Sequence, residues 1–161
     1  MNPYKIVSQN EEDTIKIAET IALFLQKGDI LVLDGDLGTG KTLFVKALTA
    51  ALGSTDKVTS PTFTIAHFYR SPKGQILHID AYRLTSLAEF SDTGLMDFFE
   101  ESTVLVEWGT KIADLFETYF LIAFEYSEAN KNERKITISY TGDTLLPVFN
   151  GLTQRLSALG N

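Results

Sequence analysis

Gly35-Asp36-Leu37-Gly38-Thr39-Gly40-Lys41-Thr42 is the stretch on which the reading of this chain turns. Glycines at 35, 38 and 40 allow a bend that points successive backbone N–H groups inward, and the helix that follows adds the positive end of its dipole. Upstream, Ile30-Leu31-Val32-Leu33 within Asp29 to Asp34 is a continuous apolar run, the pattern of a strand buried on both faces of a parallel sheet. Downstream, Leu43, Phe44, Ala47, Leu48 and Leu52 recur at helical spacing, and Gly53 ends the run. Strand, glycine loop and helix in that order form the setting of a phosphate-binding loop. In such a loop the backbone of residues Gly35, Asp36, Leu37, Gly38, Thr39 and Gly40 cradles a triphosphate. Lys41 reaches the β- and γ-phosphates and the Thr42 hydroxyl ligates Mg2+, so ATP and Mg2+ are the expected ligands.

A loop of this kind works with a second acid at the end of a neighbouring strand. Glu107 ends the apolar run Val104-Leu105-Val106, and Asp80 ends Ile76-Leu77-His78-Ile79 in the same manner. A carboxylate leaving a buried strand emerges at the carboxyl edge of the sheet, where open α/β sheets bind their ligands.

The remaining chain supplies an α/β frame. Tyr4 to Ser8 reads as a strand, and Ser8-Gln9-Asn10-Glu11 has the spacing of a capping box before a helix. In that helix Thr14, Ala18, Ile21, Ala22 and Leu25 share a face, with Gly28 as its stop. Phe63 to Tyr69 and Gln75 to Asp80 read as an antiparallel pair turning through Ser71-Pro72-Lys73-Gly74. Short helical pieces near 87–90 and 95–100 precede the strand ending at Glu107. Tyr119 to Tyr126 and Lys135 to Tyr140 form a hairpin around the polar stretch from Ser127 to Arg134. A last helix, capped by Asp143 or Thr144, buries Leu145, Val148, Phe149, Leu152, Leu156 and Leu159. The expected architecture is a single P-loop domain over residues 1–161, a three-layer sandwich around a mixed, mostly parallel sheet.

Composition narrows the function classes. With 44% hydrophobic and 22% charged residues the chain is an ordinary globular protein, and the absence of cysteine rules out disulfides and thiolate metal sites. A formal charge of −7 argues against independent nucleic-acid binding, so any RNA is expected to be held by a partner. Met1-Asn2-Pro3-Tyr4-Lys5 lacks the features of a secretory signal and no apolar run is long enough to span a membrane, so a cytoplasmic location is expected. His67 and His78 have no companion cysteine and read as structural or surface residues. Asn130-Lys131-Asn132-Glu133 approaches a guanine-recognition tetrad but falls in a turn rich in polar residues, which accounts for it.

The loop, Ser60-Pro61-Thr62-Phe63-Thr64, His78-Ile79-Asp80-Ala81-Tyr82-Arg83-Leu84 and Leu105-Val106-Glu107-Trp108 occur in that order. Together they resemble the TsaE (YjeE) family, the ATPase of bacterial tRNA threonylcarbamoyladenosine biosynthesis, over residues 11 to 140. The resemblance implies a nucleotide-binding subunit that joins the TsaB–TsaD pair and meets tRNA only through that complex. It implies that Lys41 and Thr42 bind phosphate and Mg2+, that Glu107 is the second metal ligand, and that Asp80 is needed for hydrolysis. Ser60, Pro61 and Thr62 resemble a switch segment near the γ-phosphate, and Trp108 a residue that packs beside the site or against a partner. Thr14 and Arg134 correspond roughly to nucleotide-contacting positions. Thr39 and Leu43 depart from the alanine and small polar residue most common in the family, and neither change removes a phosphate donor. The expected function is ATP hydrolysis driving a conformational cycle of the complex. The rivals are a small P-loop metabolite kinase, which would need an arginine-rich lid, and a nucleotide-dependent binding module with incidental hydrolysis.

Overall fold

A computed structural model describes residues 3–159; Met1 and Asn2 of the N-terminal stretch lie outside the described residues. Seven strands form one sheet: β1 (Tyr4–Ser8), β2 (Ile30–Asp34), β3 (Ala66–Ser71), β4 (Gly74–Asp80), β5 (Ser102–Glu107), β6 (Tyr119–Tyr126) and β7 (Arg134–Thr141). Their order is β1-β7-β6-β2-β5-β4-β3. β2, β4, β5 and β6 run parallel, while β7 and β3 are antiparallel to their neighbours and β1 is antiparallel to β7, so five strands point one way.

The central strands are buried on both faces, which is why they read as unbroken apolar runs rather than alternations. Leu31, Val32, Leu33, Val104, Leu105 and Val106 are all fully buried. On one face α1 (Glu11–Ala22), α2 (Lys41–Ala51) and α4 (Leu146–Leu159) contribute Ile17, Phe44, Leu48, Phe149 and Leu152 to a core with Leu31 and Leu33. On the other, α3 (Leu87–Ser91) and 3-10 turns at 95–101 and 109–115 bring Phe90, Phe99, Ile112 and Phe116 onto Val32, Leu77, Ile79 and Val104. Each fully buried aliphatic or aromatic side chain contributes about 1.5–3 kcal/mol, and the two cores together fix the sheet that carries the site.

Four local expectations are corrected. The cap of α1 is Asn10, not Ser8: its side chain accepts from Asp13 N–H at 2.9 Å, and the Gln9 N–H donates back to Asp13 at 2.9 Å. Ser8 instead bonds the Thr14 hydroxyl at 2.6 Å. The helix stops at Ala22, and Gly28 serves a later turn, donating to the Ser102 carbonyl at 2.7 Å. Residues 63–65 are not strand, because Ile65 has φ 70° and its N–H closes a turn onto the Pro61 carbonyl at 2.7 Å. Leu159, expected in the core, is exposed as the last residue of α4.

Asn10→Ala removes the cap of α1 and is expected to cost about 1 kcal/mol, read as a lower denaturant midpoint at constant slope.

Candidate functional site

Both helices that flank the glycine loop pack on the same sheet face, yet their N-termini are treated differently. Helix α1 carries a side-chain cap and Glu11, Glu12 and Asp13 in its first turn. Helix α2 starts from Gly40 in the left-handed region (φ 108°) with no side-chain cap and no acid in its first turn. Its N-terminal amides and dipole are therefore left for an external anion.

Space decides two of the glycines. A Cβ on Gly35 would stand 2.7 Å from the Phe124 carbonyl oxygen, and one on Gly38 would stand 2.7 Å from the Tyr126 hydroxyl. The loop is thus pressed against the end of β6, and the Tyr126 hydroxyl donates to the Leu37 carbonyl at 2.6 Å. Arg134, at the start of β7, donates to the Thr39 carbonyl at 3.2 Å and lies over the Tyr126 ring at 4.7 Å. Thr39 closes the bend by donating its hydroxyl to the Asp36 carbonyl at 2.6 Å.

Lys41 is buried, donates to the Gly35 carbonyl, and holds its ammonium 3.4 Å from the centre of the Trp108 ring. Burial pushes its pKa below the ordinary value, and this outweighs the opposing pull of Glu107, Asp34, Asp80 and Asp36. The cation is held beside four acids at the head of the loop.

Parallel pairing of β4 with β5 sets Asp80 directly opposite Glu107, so the two acids share one rim of the sheet. Both are buried. Asp80 accepts from Tyr82 N–H at 2.9 Å with one oxygen and from the Thr62 hydroxyl at 3.0 Å with the other. Thr62 in turn bonds Ser60 at 2.8 Å. Glu107 is held by the His78 ring at 2.6 Å. Ile65, a β-branched residue in a conformation that costs about 1–3 kcal/mol, marks the exit of this segment, and its carbonyl accepts from the Asp80 N–H at 2.8 Å.

A hollow of about 340 Å3 is lined by Gly38, Gly40, Lys41, Thr42, Ser60, Thr62, Asp80, Glu107 and Trp108 among others. A second, of about 690 Å3, opens on the other side of the same loop and is lined by Thr14, Gly38, Thr39, Gly40, Asn132 and Arg134 together with the start of α1. Gly38, Gly40 and Leu43 line both. The site residues read from the sequence thus gather around one loop, acids and switch segment on one side, Thr14 and Arg134 on the other. Pro61 is buried behind the first hollow and orders the segment through its carbonyl.

Tyr126, Tyr69 and His78 have roles that the sequence reading missed. Tyr126 carries the weak signal of an aromatic ending the strand that faces the loop. His78, read as structural or surface, is fully buried between Tyr69 and Glu107. Among the described residues no group of three or more His, Asp or Glu converges on a metal site, and no helix is long and apolar enough to cross a membrane.

The profile of the Threonylcarbamoyl adenosine biosynthesis protein TsaE family matches residues 8–136. The chain is 38% identical over 144 residues to the Bacillus subtilis tRNA threonylcarbamoyladenosine biosynthesis protein TsaE, covering 89% of each chain. It is 37% identical over 136 residues to the protein of that name from Aquifex aeolicus, covering 83% of this chain and 94% of the relative. The crystal structure of Bacillus subtilis YdiB superposes with a TM-score of 0.75 at 31% identity, covering 99% of this chain and 97% of that one. Sequence pattern, identity along nearly the whole length and a shared fold agree, and the chain belongs to the TsaE family of threonylcarbamoyl adenosine biosynthesis proteins.

Proposed function

We propose that this chain is an Mg2+-dependent ATPase acting in the threonylcarbamoyl modification of tRNA, and that it works with TsaB and TsaD rather than performing the transfer itself. The observation that carries the reading is the juxtaposition of an uncapped helix N-terminus, a buried lysine and two carboxylates around one hollow.

The residues present fit both ligands. Gly35 stands where the Phe124 carbonyl leaves no room for a Cβ, Gly38 keeps a backbone conformation that favours glycine, and the loop's amides precede a helix that no side chain caps. Mg2+ binds through one or two protein oxygens plus phosphate rather than in an all-protein cage, which agrees with a site lacking a third acidic ligand. Thr42 and Glu107 would hold the ion, which when bound supplies positive charge against the phosphate oxygens.

Lys41, released from the Gly35 carbonyl, places its ammonium on the phosphates. Asp80, fixed by Tyr82 N–H and the Thr62 hydroxyl, presents acceptor oxygens to the hollow and ties residues 60–62 to it. Thr14 and Arg134 border the side on which the rest of the nucleotide lies. Water attacks the γ-phosphorus, the bond to the β-bridging oxygen breaks, and ADP and orthophosphate leave. Ser60 and Thr62 line the hollow where the γ-phosphate would sit, so departure of orthophosphate would free residues 60–62 from it, and this change is what the partners would sense.

The test uses ATP labelled in the γ-phosphate, with the full chain mixed with TsaB and TsaD. The label is expected in orthophosphate formed from water, and its appearance on an organic acceptor would establish the kinase reading instead. Asp80→Asn is expected to lower hydrolysis by about 10²-fold while leaving MgATP binding within a few-fold. If this variant supported tRNA modification at the normal rate, hydrolysis would be incidental to the function.

A further inference from the structure

We infer that His78 and Tyr69 are positioning residues which couple Glu107 to the 59–64 segment through a continuous chain of hydrogen bonds. The inference deepens the nucleotide reading and rests on it for the meaning of Glu107.

Four groups lie in line across three strands. Glu107 Oε2 is 2.6 Å from His78 Nε2, His78 Nδ1 is 2.9 Å from the Tyr69 hydroxyl, and Thr59 N–H donates to that hydroxyl oxygen at 3.3 Å. A carboxylate only accepts, so His78 donates to Glu107 from Nε2. The Tyr69 hydroxyl donates to the Thr59 carbonyl at 3.1 Å while it accepts from the Thr59 N–H, so it grips both backbone groups of one residue and meets the imidazole with the same oxygen. His67 Nδ1 lies 3.1 Å from that carbonyl and joins the line there. The result is one continuous hydrogen-bonded line from the Thr59 backbone to the carboxylate, and such chains strengthen cooperatively where the surroundings are dry.

Burial makes the line effective. His78 is fully buried, and Tyr69 and Glu107 are each 4% exposed, so the two bonds from Glu107 to the Tyr69 hydroxyl are shielded from water, and only the Thr59 end is open to it. Tyr69 feels the acid directly: burial pushes its pKa up, contact with the Thr59 backbone pulls it back, and the charge of Glu107 adds to the rise. At the far end, His67 extends the tether, since its Nε2 lies 3.0 Å from the Thr64 hydroxyl. The segment from 59 to 64 is held at its entry by the line from Glu107, in its middle by Asp80 and at its end by His67. A change in what Glu107 holds is transmitted to the segment's entry without any contact between the two.

Tyr69→Phe tests this, since it keeps the ring and removes only the hydroxyl. In the nucleotide-free full chain, amide hydrogen exchange at residues 59–65 is expected to quicken by about tenfold, the size of one net hydrogen bond. Exchange in β2 and β5 should stay unchanged. Glu107→Gln, which removes the charge at the end of the line, is expected to quicken exchange at Thr59 in the wild-type background. It should have no further effect on top of Tyr69→Phe. With MgATP and partners, Tyr69→Phe is expected to lower kcat by about tenfold while KM changes less than twofold. Additive effects of the two substitutions at Thr59, unchanged exchange at 59–65, or parallel changes in kcat and KM would overturn the coupling. The exchange arm needs no nucleotide, so it stands or falls separately from ATP hydrolysis, which Lys41→Ala decides.

Discussion

Lys41→Ala should reduce ATP hydrolysis by about 10³-fold, the effect of removing one fully positioned charge from a developing phosphoryl transition state. The expectation rests on placement: the ammonium is buried at the head of the loop, beside Glu107, Asp80, Asp34 and Asp36, and among the described residues no other lysine or arginine lines the hollow that holds the acids. The loss should appear in single-turnover hydrolysis with TsaB and TsaD present. A variant retaining more than a tenth of wild-type turnover would remove the lysine, and with it the phosphate-loop reading, from the mechanism.

Stability should move the other way. Folding lowers the pKa of Lys41, so the unfolded chain holds that proton more tightly than the folded one. The charged ammonium therefore costs stability below its folded pKa, and the cost fades as pH rises from there to the ordinary value of 10.5. Lys41→Met keeps the side-chain volume and removes the charge, so its melting temperature at pH 7 should not fall below that of the wild type. Any advantage should close as pH approaches 10.5. A destabilising charge retained at the head of the loop fits a residue kept for chemistry.

Gly35→Ala should be the most damaging of the small substitutions. The new methyl would meet the Phe124 carbonyl at 2.7 Å, the Thr39 hydroxyl at 2.9 Å and the Phe124 Cβ at 3.1 Å, at a φ of +146°. Phe124 cannot retreat, because its strand is paired on both sides, to β2 and to β7, and its ring packs edge-on against Phe44 at 5.4 Å. Overpacking and backbone strain together suggest a cost of about 2–5 kcal/mol, or roughly 5–15 °C in melting temperature. MgATP binding should be lost as well, since the carbonyl of this residue and the bend it starts set the loop's shape. Gly40→Ala makes a useful control: φ is +108° but nothing lies within 4 Å, so only the conformational part of the cost applies. Equal melting temperatures for the two variants would show that the press against β6 is not what shapes the loop.

Legibility of the site in the sequence followed distance along the chain. The strand, loop and helix from Ile30 to Ala51 are encoded by local spacing, and the structure keeps all three. Asp80 and Glu107 stood out because each ends an apolar run, although only the register of β4 against β5 makes them neighbours. Tyr69, His78 and Tyr126 were invisible for the opposite reason. A lone tyrosine or histidine in a strand has no periodic signature, and its partner, on another strand or on the glycine loop, lies 9, 29 or 89 residues away in sequence. Phe63, Thr64 and Ile65 misled because aromatic and β-branched residues favour strands. Tethers to Pro61, Asp80 and His67 overrode that preference.

The larger hollow is walled by the first helix and by residues beyond the 130th position, with Ser8 and Arg134 facing each other across β1 and β7. A nascent polypeptide can press the glycine bend into shape only once β6 has emerged, and this compartment waits further, until β7 has left the ribosome and β1 has zipped onto it. Vectorial synthesis thus completes both halves of the cleft only in the last third of the chain, and the side bounded by Arg134 closes last.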